Sequence, residues 1–118
     1  MLEFNKQDII ELNKSLNDDL NGWWYKEHLL DSCFSSYYYY ESELEQICSI
    51  FRGLAKKNHA FSNANKRMAS IVLVALLEQI NYTISDNDLI NITLDVAEHN
   101  YEVLEITEKI SRLIQPIN

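Results

Sequence analysis

The sequence predicts an all-α fold, a bundle of about six helices around a buried central helix, with one short extended flap. Three observations lead there. Apolar residues recur at helical spacing in segment after segment, the stretch from Met68 to Leu77 is apolar on every side, and strand signal is weak. The 118 residues suffice for one domain with a real core and are too few for two, so residues 1–118 read as one unit.

Asn5 followed by Asp8 marks the first helix start, and Ile9, Leu12 and Leu16 keep helical spacing until the helix ends around residues 17–21. Gly22 is a turn. Trp23, Trp24 and Tyr25 then lead into a short helix carrying Leu29, Leu30, Cys33 and Phe34. The tryptophans either close the core over these helices or form a patch for a partner. Four consecutive aromatics, Tyr37, Tyr38, Tyr39 and Tyr40, suit a one-sided helix poorly and a short exposed strand or hairpin well. The other reading of them is two tyrosines in the core and two on the surface.

Ser42 and Glu45 have the spacing of a capping box, and Leu44, Ile47, Cys48, Phe51, Leu54 and Ala55 give the helix after it an apolar face. Lys56, Lys57 and Asn58 close it with positive charge, where the helix dipole favours it. The central helix is expected at about 65–80, ended by Asn81. Ser85 and Asp88 start another helix with Leu89, Ile92 and Val96 inward, and Val103, Ile106, Ile110, Leu113 and Ile114 form a last one before Pro116.

The net charge of −8 argues against nucleic acid or an anionic membrane as the main partner and suits a basic protein. No apolar run approaches the roughly 20 residues needed to cross a bilayer, and the first residues lack a basic region followed by an apolar one. A cytoplasmic protein is expected. Cys33 and Cys48 read as reduced core residues, and His28 and His99, without ligand-spaced partners, as surface histidines. The Asn-x-Thr sequons at Asn81 and Asn91 carry no weight in such a chain.

The polar run His59 to Arg67 feeds directly into the most apolar stretch. A loop that becomes a helix is expected there, with Asn63 or Asn65 capping the first free N–H groups, at a place predisposed to bind phosphate. No acidic residue lies between Glu45 and Glu78, whereas Arg52, Lys56, Lys57, Lys66 and Arg67 are half of the ten Lys and Arg. An acidic chain has thus kept carboxylates out of one region, which favours a phosphorylated nucleotide there. His59, the imidazole beside that anion site, is the candidate general base. Phe61 is the loop's structural anchor, Asn65 is a donor to phosphate, and Lys66 and Arg67 neutralise charge on the transferred group.

The segment His59, Phe61, Asn63, Ala64, Asn65, Lys66, Arg67 resembles the signature of the Fic/Doc superfamily, and within it the Doc branch of death-on-curing toxins, whose motif reads roughly His-x-Phe-x-Asp-Ala-Asn-Lys-Arg. Length and element order are similar throughout. The resemblance implies a protein kinase acting on a hydroxyl of a translation elongation factor, with ATP as substrate and Mg²⁺ as cofactor, restrained by an antitoxin protein. It implies the base role for His59, nucleotide contacts for Asn63, Asn65, Lys66 and Arg67, and a target-binding flap at Tyr37, Tyr38, Tyr39 and Tyr40.

Fic adenylyltransferases have a glycine where this chain has Lys66 and an arginine where it has Ser70, so AMP transfer is the alternative reaction. Asn63 stands where the family has the acidic Mg²⁺ ligand, and an amide oxygen is a weaker ligand for a hard cation. Three readings follow: Mg²⁺ held mainly by phosphates with Asn63 assisting, another carboxylate nearby, or a binding module without catalysis.

Overall fold

The computed structural model describes residues 2–57 and 60–117, with the backbone alone at Lys57. The fold is all-α. Its helices are α1 (Lys6–Ser15), α2 (Glu27–Ser35), α3 (Glu43–Arg52), α4 (Asn65–Gln79), α5 (Asp86–Glu98) and α6 (Val103–Ser111). Two two-residue strands, β1 (Tyr82–Thr83) and β2 (Gln115–Pro116), pair antiparallel, Tyr82 opposite Pro116 and Thr83 opposite Gln115. The sequence gives little hint of this pair, because two residues are too few to set an alternating pattern.

Local chemistry explains most helix starts. The Asn5 side chain accepts from Gln7 N–H at 2.8 Å, and Ser85 Oγ accepts from Asp88 N–H at 3.2 Å. The expected box at α3 is half formed: Ser42 Oγ accepts from Glu45 N–H, but its hydroxyl donates to Glu45 Oε1 at 2.8 Å, so the carboxylate does not reach the Ser42 N–H. A complete box stands instead at α6, between Glu102 and Glu105. The first helix ends earlier than expected, at Ser15 with Leu16 as its C-cap. α3 runs on through a π-helical turn, Gly53–Lys57, in which Gly53 lies so close to Cys33 that an added Cβ would stand 3.0 Å from the Cys33 Cα.

α4 buries Met68, Ala69, Val72, Leu73, Leu76 and Leu77, and each large side chain among them contributes roughly 1.5–3 kcal/mol. It is not enclosed on every side, as its composition suggested. Ile71 and Ala75 reach solvent on its outer face. Cys33 and Cys48 are buried in the core, and His28 and His99 are exposed. Among the described residues no helix is long and apolar enough to cross a membrane.

The tyrosine segment is not an extended flap. Ser36–Tyr39 is a 3₁₀ turn that continues α2, and only Tyr40 takes up extended backbone. Packing decides this. Tyr37 turns inward against Phe4, ring centroids 5.6 Å apart, and Ser36 Oγ donates to the Cys33 carbonyl at 3.2 Å. Tyr38 and Tyr39 are left 76 % and 85 % exposed, while Tyr37 and Tyr40 pack on the core, the two-in, two-out arrangement.

Candidate functional site

The segment entering α4 is held by a distant part of the chain. Lys26 N–H donates to the Ala60 carbonyl at 2.8 Å and Ser62 N–H to the Trp24 carbonyl at 3.0 Å, so Trp24 to Lys26 runs antiparallel to Ala60 to Ser62, with Tyr25 bridged to Phe61. Trp24 N–H also donates to Ser62 Oγ at 3.1 Å. Phe61, 1 % exposed, lies against Trp23 and Tyr25 with ring centroids 6.2 and 5.9 Å away. The two tryptophans divide their roles: Trp23 is half-buried over this loop and Trp24 is 46 % exposed.

Neither asparagine caps α4. The N-cap is Ala64, in the left-handed region at φ 61°, ψ 24°, and among the described residues no side chain receives the first free N–H groups of the helix. Asn65 is the first helical residue and turns its amide back onto the loop: Oδ1 accepts from Phe61 N–H at 3.2 Å and Nδ2 donates to the Phe61 carbonyl at 2.8 Å. One of its two amide N–H donors is therefore committed to shaping the loop. Asn63 Oδ1 accepts from Ala64 N–H at 3.0 Å.

A left-handed residue followed by a right-handed one turns successive N–H groups to one side, a concavity that binds anions. Ala64 and Asn65 form that pair at the positive end of a 15-residue helix. Ser62, Asn63, Ala64, Asn65, Lys66 and Arg67 line a cavity of about 400 Å³ there, with Ala55 and Ala97 on its far wall. That is within the roughly 300–1,000 Å³ range of small-molecule pockets. Lys66 and Arg67 are exposed, and no described residue forms an ion pair with either. Arg67 Nη1 donates to the Leu16 carbonyl at 3.2 Å, which ties the cavity rim to the end of α1.

Of the residues singled out from sequence, Asn63, Asn65, Lys66 and Arg67 meet at this cavity and Phe61 lies beneath the loop leading to it. His59 lies outside the described residues. Tyr37, Tyr38, Tyr39 and Tyr40 do not line the cavity. Sequence reasoning missed Asn13, a fully buried amide on α1 that donates to the Asn63 carbonyl at 3.0 Å and accepts from Trp23 Nε1 at 2.9 Å. Its signal was a polar residue between Ile9 and Leu16 on an otherwise apolar helix face. It also missed Asp19, which shares a polar cavity of about 220 Å³ with Ser62 and Asn63.

A divalent cation fits these donors poorly. Among the described residues Asp19 is the one carboxylate facing the same polar cavity, and no group of three or more His, Cys, Asp and Glu could hold a metal. Compared with known proteins, the chain matches no family model and no curated protein.

Proposed function

We propose that the protein transfers the γ-phosphoryl group of ATP to a hydroxyl of a protein substrate, as the toxin of a toxin–antitoxin pair similar to the Doc branch of the Fic/Doc superfamily. The observation that carries this reading is the anion-binding concavity at Ala64 and Asn65, with Lys66 and Arg67 beside it, inside the segment that bears the resemblance. In this reading the helix N–H groups and Lys66 take the nucleotide's phosphates. The substrate oxygen forms a bond to the γ-phosphorus, the bond from that phosphorus to the bridging oxygen breaks, ADP leaves, and the hydroxyl proton passes to His59. Because the donor set does not suit a protein-held Mg²⁺, any such ion arrives with the nucleotide. A cytoplasmic location, an antitoxin and an elongation-factor target belong to the same proposal.

One observation favours a second reading. Asn63 Oδ1 accepts from the Ala64 N–H of its own loop, an arrangement that a nucleotide-binding module without catalysis would keep. AMP transfer, the alternative reaction, would require the α-phosphorus to face the hydroxyl.

The test is incubation with bacterial lysate, Mg²⁺ and ATP labelled at the α or the γ phosphate. Label from γ alone should reach one protein band and be lost with His59→Ala, a fall of roughly 10²-fold or more. Transfer from α would establish the adenylyl reading. Transfer from neither, with ATP binding that depends on Lys66 and no gain in Asn63→Asp, would establish the binding module.

A further inference from the structure

We propose that Asn13 is a positioning residue of the anion site, acting as a lock on the peptide unit between Asn63 and Ala64. The inference rests on the nucleotide reading above. A trans peptide is planar, so its carbonyl and its N–H point in opposite directions. Asn13 Nδ2 holds the Asn63 carbonyl from the buried side at 3.0 Å. The Ala64 N–H of the same unit must therefore face away from α1, where Ala64 lines the cavity.

The lock works against a local preference. Ala64 sits at φ 61°, a region that costs an L-residue with a Cβ and that alanine leaves readily. Turning this one peptide over would bring Ala64 back to negative φ. It would also aim the Asn63 carbonyl into the cavity, and a carbonyl oxygen repels the phosphate that an N–H attracts.

The orientation of the Asn13 amide is itself fixed. Its Oδ1 accepts from Trp23 Nε1 at 2.9 Å and from Asn17 Nδ2 at 3.3 Å, so its Nδ2 is left to face Asn63, with the Met68 sulfur 3.7 Å away. With Asn13 0 % exposed, no water competes for these bonds. Asn63 Oδ1 rests on the Ala64 N–H at 3.0 Å, in the place that a phosphate oxygen would take.

The experiment is calorimetric titration of the full chain with ATP, for wild type, Asn13→Leu, Ala64→Gly and the double variant, with a thermal melt of each. Asn13→Leu is expected to bind about tenfold more weakly. Glycine has no preference against positive φ, so adding Ala64→Gly should recover most of that loss. A side chain that merely filled core space would give no such recovery of binding.

Equal affinity in wild type and Asn13→Leu overturns the inference and leaves the nucleotide reading standing, as does a double variant no tighter than the single one. Wild type that binds no ATP overturns both. Should Asn13→Leu fail to melt cooperatively, hydrogen exchange of the Asn13 side-chain amide decides in the wild type. By linkage ATP must slow that exchange, and unchanged exchange at saturating ATP overturns the lock.

Discussion

Phe61→Ala is expected to destabilise the protein by about 3–5 kcal/mol, the range for removing a fully buried phenylalanine. The ring is 1 % exposed and touches Trp23 and Tyr25, and each such aromatic pair adds roughly 0.5–1.5 kcal/mol beyond burial. Little can collapse into the gap, because the backbone on both sides is fixed by the hydrogen bonds between Ala60 to Ser62 and Trp24 to Lys26. Urea unfolding should therefore show a lower midpoint at an unchanged slope. Phe61→Leu should cost less, since it refills part of the space. A loss under about 1 kcal/mol for the alanine variant would mean that the ring is not the anchor of this loop.

A second large effect is expected on raising the pH. Cys48 is buried in α3, and burial pushes its thiol up from 9.0 to about 12, with Thr107 offsetting part of the rise and Glu45 adding to it. Between these two values the unfolded chain has given up the proton that the folded chain still holds. The unfolded state then binds fewer protons, and stability falls as pH rises. Below pH 9.0 the contribution is intact; by about pH 12 roughly 4 kcal/mol is lost. Other groups titrate in the same window, so the informative comparison is with Cys48→Ala, which lacks the thiol. From about pH 8.5 to 10.5 the wild type should lose about 2 kcal/mol more than this variant in urea melts. Parallel pH profiles would show that the thiol ionises without penalty.

What could be seen in the sequence follows the range of the forces involved. Each helix announces itself through an apolar stripe a few residues long, and the start of α4 at Asn65 is written in the change from polar to apolar at Met68. The identity of its cap is not, because Ala64 takes up positive φ alongside a hydrogen bond between Asn13 and Asn63, 50 residues apart. Asn65 was legible as a member of the site and illegible in its role. Its amide has two N–H donors, and only the folded loop shows that one of them holds the Phe61 carbonyl. The tyrosines were misread as extended for a similar reason: strand propensity largely reflects packing on a pleated surface, and here Tyr37 packs on Phe4 instead. The β1–β2 pair joins segments on either side of α5 and α6 and leaves no local trace.

The antiparallel clasp between Trp24 to Lys26 and Ala60 to Ser62 also bears on how such a chain can diverge. Trp24 and Ser62 are 38 residues apart, and the ends of that span meet at fixed hydrogen bonds whatever lies between them. The entropy of closing a loop grows only with the logarithm of its length, about 0.6 kcal/mol for each doubling. Extra residues inserted at the exposed Tyr38 and Tyr39 would therefore lengthen the excursion without moving either end. The site is insulated from length variation in the outer turn, so that turn can change its surface while the geometry around Ala64 stays constant.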